Sequence, residues 1–417
     1  APVGFVDMKK MRYFADRTGW TPDPICDYLK DFKVEQDKIQ PVWIDVKATA
    51  QARPGVYRGT VAVKNGNVKL LDLPLQVRVH RFELPYKNSL PVVTAARFDQ
   101  GFYDYMYGDE KPETVKQFRG YLDGSVSYDE LNAVAKHQVE VMHRFEKMIS
   151  AHRIPNDHIY RPAPIKIEDL KRYLADRNRL VCLFAVEKHN KPEELVEWMD
   201  RLAPVIIENN WQNNVYVYGF DEINPDLFKK AIDTFRPLKK KYPWLKIMTT
   251  AFDYSLGRET GMDEVIDIWV PQIREFFNNT DENTRARKDG KEVWYYVCCY
   301  PSPPIANWLL ESQPTATRIM LGMMPYKYDI EGFLQWAIIR WKANRTFEEN
   351  GKIVTRELVW DKKLTDGPLT SHDGKGFYEF NGDGFLFYPG ENGPVTTVRA
   401  RPVSYTHLRA HETGAYL

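Results

Sequence analysis

From residue 89 onward the sequence alternates short apolar runs with longer stretches of helical periodicity, and no other feature restricts the fold as strongly. Eight runs read as strands: LPVVTAARF (90–98), HIYRP (158–162), LVCLFAV (180–186), NVYVYGF (214–220), KIMTTAF (246–252), IDIWVPQ (266–272), VWYYVCCY (293–300) and GFLQWAI (332–338). Between many of them, Tyr128 to Ala151, Ile167 to Asp176, Pro192 to Asn209, Asp226 to Lys241 and Ala316 to Tyr328 carry apolar residues at i, i+3, i+4 spacing. Eight strand–helix alternations over roughly 250 residues predict a (β/α)8 TIM-like barrel, whose catalytic groups sit at the C-terminal ends of the strands. A doubly wound open sheet is the competing arrangement, but no G-x-G-x-x-G follows the first strand.

The sequence before this region has another rhythm. From Lys38 to Glu83 apolar residues alternate or cluster in short runs separated by turn signals at Pro54–Gly55 and Asn65–Gly66. That pattern predicts hairpins and a small β-sandwich domain. The linker LPYKNSLP (84–91) ends it, giving an expected N-terminal domain over 1–86, cut away at its start, and a catalytic barrel over 87–402. The tail is of a different kind. VSYTHLRAHET (403–413) back-translates into a transposase adapter used in sequencing libraries, so 403–417 is expected to be a non-native extension and the native C-terminus to be missing. His407 and His411 are accordingly given no chemistry.

Composition removes several functions. Lys plus Arg number 58 against 57 Asp plus Glu, so no global basic field points to nucleic acid. No apolar run reaches the roughly 18 residues that a membrane-spanning helix needs. Cys26, Cys182, Cys298 and Cys299 lack CxxC or Cys/His spacing and read as free thiols. His137 and His143, six apart on a helix, do not share a face as zinc ligands would, and GxSxG and P-loop motifs are missing. Aromatic residues make up 13%, with 24 Tyr, 21 Phe and 11 Trp, more than core filling usually requires. Sugar clefts use such residues, because aromatic faces pack on the C–H faces of pyranose rings. Trp294, Tyr295, Tyr296, Trp308, Trp336 and Trp341 are individually core candidates and together favour an aromatic cleft.

At the ends of the strands stand Arg97 and Asp99, Arg161, Glu187 and His189, Asp221 and Glu222, Asp253, Gln272, Tyr300 and Trp336. The adjacent acids Asp221 and Glu222 close the most β-prone run, just after Gly219. Neighbours on a regular strand point to opposite faces, so the two share a pocket only where pairing ends. One reading is a carboxylate pair with divided roles, a protonated general acid beside an ionised stabiliser. The other is a helix start, with the acids capping the helix after Asn224–Pro225–Asp226. Spacing does not choose between them.

Longer stretches carry a family resemblance. PVWIDVKATAQARPGVYRGTVAV (41–63) and LPLQVRVHRFELP (73–85) resemble the N-terminal domain of glycoside hydrolase family 123. VYGFDEI (217–223), the segment 293–341 and DGFLFYPG (383–390) resemble its catalytic barrel, also known as domain of unknown function 4091. The resemblance implies a secreted or periplasmic β-N-acetylgalactosaminidase without metal or organic cofactor. It would act on an N-acetylgalactosamine-terminated glycan or glycolipid with retention of configuration. The sugar's acetamido oxygen is the nucleophile in such enzymes, giving an oxazolinium intermediate, so they stand outside the two-carboxylate scheme. The family's Asp-Glu pair maps onto Asp221, which would orient the acetamide, and Glu222, which would protonate the leaving oxygen and then activate water. From strand-end position, Arg97 and Asn307 are expected to bond ring hydroxyls, Tyr296 to support the acetamide, and Trp336 to form a platform under the ring. The alternatives are a non-catalytic carbohydrate-binding or scaffold protein on the same barrel, and a glycosidase with Asp221 or Asp253 as protein nucleophile.

Overall fold

The structure is a computed structural model and describes residues 1–8, 19–34, 36–49, 51–82, 88–96, 98, 112–175, 179–301, 304–310, 312, 315–340, 342–349, 352–359, 382–390 and 393–405. In the N-terminal part, β1 (Val3–Met8) pairs antiparallel with β2 (Gly19–Ile25), and β3 (Gly55–Asn65) with β4 (Val68–Val79). The β3–β4 turn is two residues long, with Gly66 at φ 54°, a left-handed value that glycine adopts without penalty. The β-sandwich expectation is met only as far as its antiparallel strands: among the described residues they form separate two-stranded sheets. By register, Tyr57, Val61, Val63, Leu71 and Leu73 share one face of the hairpin, yet Leu71 remains 52% exposed and Leu73 44%, so among the described residues no second layer covers that face.

Strand β2 joins the C-terminal segment instead. Pro24 bridges Thr397, and the Asp23 carboxylate accepts from Arg399 Nε at 3.0 Å and Nη2 at 2.9 Å and from the Tyr388 hydroxyl at 2.8 Å. All three side chains are buried. A buried pair of this kind persists because each charge satisfies the other; removal of one partner strands the other in a poor solvent.

The apolar runs after residue 89 pair as parallel strands. They are β5 (Val92–Thr94), β6 (Val181–Val186), β7 (Val215–Gly219), β8 (Lys246–Thr249), β9 (Ile268–Trp269), β10 (Glu292–Val293), β11 (Tyr295–Val297) and β12 (Phe333–Gln335). Five lie in the order β10-β9-β8-β7-β6 and three in the order β11-β12-β5, every pair parallel. All six residues of β6 and all five of β7 are buried, which explains why these runs are apolar throughout: both faces are covered. Hydrogen bonds connect the two sheets. Tyr296 N donates to Pro271 O (3.1 Å), Ile159 N to Thr94 O (3.3 Å) and Ala185 N to Arg161 O (2.7 Å), so the HIYRP run lies between β5 and β6 without forming a regular strand.

Alternation along each strand divides the core. Val93, Cys182, Tyr216, Tyr218, Met248, Ile268, Trp294, Tyr296 and Leu334 form one cluster that draws on both sheets. Their neighbours Val92, Leu183, Val215, Val217, Trp269, Val293, Tyr295 and Phe333 belong to the larger cluster, which packs the helices. These helices are α1 (Pro112–Asp123), α2 (Ala133–Ala151), α3 (Ile167–Leu174), α4 (Pro192–Glu208), α5 (Phe228–Lys241), α6 (Ile273–Asn278) and α7 (Thr280–Lys288). In α4, Pro192 opens the first turn with Glu193 and Glu194, and Leu195, Met199, Leu202 and Ile206 form its buried stripe. Helix α5 ends on Lys239, Lys240 and Lys241, cations suited to the negative end of its dipole. The predicted helix at Ala316 to Tyr328 is present as α-helical turns around a π-helical stretch, Ile319–Met323. Helices α1, α6 and α7 were not expected from the sequence. After β12, β13 (Lys342–Glu349) pairs with β14 (Lys352–Val359), and β15 (Phe387–Gly390) with β16 (Gly393–Thr396), both antiparallel. Val403, the first residue of the tail, is buried against the core.

Candidate active site

Strand β7 ends in a strained turn that brings the two adjacent acids together. Gly219 is needed because a Cβ there would stand 2.8 Å from Val186 Cβ and 2.9 Å from Val186 O and Phe235 Cζ. Phe220 (φ 52°) and Glu222 (φ 48°) then adopt the left-handed region, which for residues with a side chain stores roughly 1–3 kcal/mol each. The surroundings impose it. Phe220 N donates to Val186 O (2.9 Å), Thr249 Oγ1 donates to Phe220 O (3.1 Å), and the buried Phe220 ring packs edge-on against Phe235. Two left-handed residues around Asp221 cancel the strand alternation that would have sent the carboxylates to opposite faces.

Each acid is held by hydroxyls, from Tyr218 of β7 itself, from Thr250 just past β8 and from Tyr296 of β11. The Tyr218 hydroxyl and Thr250 Oγ1 (2.6 Å) both donate to Asp221 Oδ1, and Oδ2 has no partner among the described residues. Glu222 Oε1 accepts from the Tyr296 hydroxyl, and Glu222 N donates to Thr250 Oγ1 at 3.0 Å. One buried hydroxyl, that of Thr250, therefore ties both acids to the end of β8. Although Glu222 as a residue is open to solvent, its carboxyl lies against Tyr296. That burial pushes the carboxyl above its ordinary range; the Tyr296 hydroxyl opposes the rise and the neighbouring Asp221 charge adds to it. Burial likewise raises Tyr218 and Tyr296, with the adjacent carboxylates contributing, so both phenols remain protonated donors. The arrangement presents one acid inclined to keep its proton beside one held by two donors, and Asp221 and Glu222 do not cap the helix that follows. Asn224 starts that helical segment.

The remaining sequence candidates divide. Tyr296 is at the site, bonded to Glu222. Trp336 is half-buried and packs on the inner cluster with Tyr218 and Tyr296, while Trp294 and Trp308 are buried, their indole N–H groups donating to Glu292 and Thr317. Arg97, Asp99 and Trp341 lie outside the described residues. Asn307, expected to bond ring hydroxyls, is 2% exposed and its amide is engaged within its own loop: Nδ2 donates to Cys298 O (3.0 Å) and Pro301 O (2.8 Å), and Oδ1 accepts from Trp308 N (2.6 Å). Asp253 organises a local turn, accepting from Ser255, Gly257 and Thr260. Arg161 reaches Asp157 and Cys182 O, and Gln272 caps α6. Glu187 and His189 are exposed, with Glu187 N bonded to Asn190.

Sequence reasoning passed over Tyr218, Thr250 and Asp383. Thr250 had a signal, a polar residue closing the apolar run of β8. Tyr218 had none, since a tyrosine within VYVYG is indistinguishable from core. Among the described residues no group of three or more His, Cys, Asp and Glu side chains could hold a metal ion, and no helix is long and apolar enough to cross a membrane.

Comparisons with known proteins bear on this site. The catalytic-domain model of glycoside hydrolase 123 matches residues 121–409, and the glycoside hydrolase 123 N-terminal domain matches residues 11–65. Among solved structures, a family 123 glycoside hydrolase from Clostridium perfringens, analysed for glycolipid glycan hydrolysis, aligns with TM-score 0.66 at 14% identity over 98% of this chain and 74% of its own. A glycerophosphodiester phosphodiesterase from Parabacteroides distasonis aligns with TM-score 0.24 at 12% identity over 40% of this chain and 58% of its own, too weak a likeness to bear on the fold. No curated protein matches.

Proposed function

Because the chain belongs to glycoside hydrolase family 123, we propose that it removes terminal β-linked N-acetylgalactosamine with retention of configuration, using the substrate's own acetamide as nucleophile. The observation that carries this reading is the division of labour at the end of β7, where Glu222 keeps a raised carboxyl and Asp221 is clamped by Tyr218 and Thr250. In the first step the acetamido oxygen attacks C1 while Glu222 gives its proton to the glycosidic oxygen and the aglycone leaves as an alcohol. Asp221 Oδ2 accepts from the acetamido N–H and balances the positive charge of the oxazolinium. In the second step Glu222, now a carboxylate, takes a proton from water as its oxygen adds to C1 and the five-membered ring opens. Trp336 lies under the sugar ring and Tyr296 keeps Glu222 in line. The substrate class is a glycan or glycolipid ending in this sugar; the Clostridium relative is the one described in connection with glycolipid glycans.

The same reading takes the two parallel sheets as one closed (β/α)8 barrel over 87–402, following an N-terminal domain over 1–86. The bonds Tyr296 N to Pro271 O, Ile159 N to Thr94 O and Ala185 N to Arg161 O, with one inner cluster shared by both sheets, support closure. The two acids then lie at the C-terminal strand ends, where such barrels carry their chemistry.

The test is nitrophenol release from aryl β-N-acetylgalactosaminide against its glucosamine epimer, with and without a thiazoline inhibitor. Thiazoline-sensitive turnover favouring the galactosaminide is expected. Thiazoline-insensitive turnover would move the nucleophile to a protein carboxylate, and sugar binding without turnover would leave a carbohydrate-binding protein.

A further inference from the structure

Trp336 follows β12, and its indole is gripped from several sides. Nε1 donates to Asp383 Oδ1 at 2.8 Å, the Arg340 guanidinium lies 4.8 Å over the ring, and Gly384 approaches so closely that a Cβ there would stand 2.8 Å from Trp336 Cζ2. Asp383 is 6% exposed, and the backbone N–H groups of Cys299 and Gly384 act with the Trp336 N–H to favour its ionised form. Groups from the chain after β11, the chain after β12 and the turn before β15 thus favour one carboxylate. A carboxylate presents acceptors on both oxygens to these N–H groups, whereas an amide in its place loses the charge and carries an NH2 on one side. The turn that carries Asp383 is itself anchored, because Arg399 Nη1 donates to Gly382 O (3.0 Å) and Trp308 O (2.6 Å) while its other nitrogens pair with Asp23.

We propose that Asp383 is a positioning residue of this site, a third carboxylate that touches no substrate and fixes the Trp336 indole in the orientation in which it lines the sugar cleft. The inference rests on the reading of Trp336 as the wall under the sugar. Burial pushes the Asp383 carboxyl up to about 7, opposed by the Trp336 N–H, by Arg340 and by the Gly384 and Cys299 N–H groups; Arg340 and Cys298 are the charged and titratable groups that face it.

Two measurements on the full chain test this. The first needs no activity: the Trp336 indole Nε1–H resonance, identified by its loss in Trp336→Phe, is followed against pH in the wild type and in Asp383→Asn. It is expected to titrate near pH 7 in the wild type, and in the variant to shift and stop titrating. The second compares Asp383→Asn, Trp336→Phe and the double variant on aryl β-N-acetylgalactosaminide. Loss of a hydrogen bond to a charged acceptor predicts a rise of about tenfold in KM with a smaller fall in kcat, and a double variant no worse than Trp336→Phe alone. An indole resonance unmoved by Asp383→Asn overturns the proposal, as do single-variant losses that multiply in the double variant. A wild type without turnover overturns the glycosidase reading instead, and the resonance still decides the part of Asp383. Should Asp383→Asn not fold, Trp336→Phe folded and with unchanged KM would equally overturn the proposal.

Discussion

Replacing Thr250 with valine removes one hydroxyl that serves both acids while keeping the shape of the side chain. Thr250 is 2% exposed, donates to Asp221 Oδ1 at 2.6 Å and accepts from Glu222 N at 3.0 Å. The lost bond to a carboxylate is worth about 1.5–3 kcal/mol, and an N–H left without its acceptor costs about 1–3 kcal/mol. These two penalties fall on different properties. The unmatched Glu222 N–H weakens a turn already held in left-handed conformations, so the melting temperature falls. The loosened Asp221 no longer meets the developing oxazolinium in place, so kcat/KM on an aryl N-acetylgalactosaminide drops by about 10- to 150-fold, with 1.4 kcal/mol for each factor of ten. Thr250→Ser restores the hydroxyl and should recover most of the activity, though not the contacts of the missing methyl. Wild-type kcat/KM in Thr250→Val would refute the argument that this hydroxyl organises the pair. Equal losses in the serine and valine variants would show that the methyl, not the hydrogen bonds, matters.

Other predictions follow from the same contacts. Tyr296→Phe removes the hydrogen bond that holds the Glu222 carboxyl down, so the alkaline limb of kcat/KM should move to higher pH as the acid keeps its proton longer; an unmoved limb would show that this limb does not report Glu222. Glu222→Gln should retain turnover with aryl leaving groups that need little protonation and lose it with alkyl glycosides, whereas Asp221→Asn should lose both, and equal activity of the two variants on the aryl substrate would overturn the assignment. Gly219→Ala forces a Cβ against Val186 and Phe235 and should lower stability by about 1–3 kcal/mol, read as a fall in denaturation midpoint. Asp23→Ala leaves Arg399 buried without its carboxylate and should cost about 3–5 kcal/mol, visible in the same denaturation curves.

Local signals located the parallel strands well. Seven of the eight expected runs contain strands within their bounds or a residue beyond, because an element buried on both faces must be apolar along its length. The eighth, HIYRP, lies between β5 and β6 and bonds to Thr94 O and Ala185 N, but makes only an isolated bridge, at His158. Helix α6 escaped notice because it is short and α7 because it is polar, and of the N-terminal strands β3 and β4 were legible as a hairpin whereas β1 and β2 lie in a stretch without a readable pattern.

By itself the sequence determined the kinds of element, their order and the presence of two acids at the close of β7, since each depends on residues within a few positions of one another. Tertiary structure decided what those acids can do. Thr250 and Tyr296 reach Asp221 and Glu222 across 29 and 74 residues of chain, and Asp383 reaches Trp336 across 47. A hydrogen bond over such a separation leaves no periodicity to read, and a left-handed Phe220 is imposed by neighbouring strands rather than chosen by phenylalanine. Asn307 shows that nearby partners can be as hard to read, for its amide is engaged by Cys298 O and Pro301 O of its own irregular loop, which carries no periodicity.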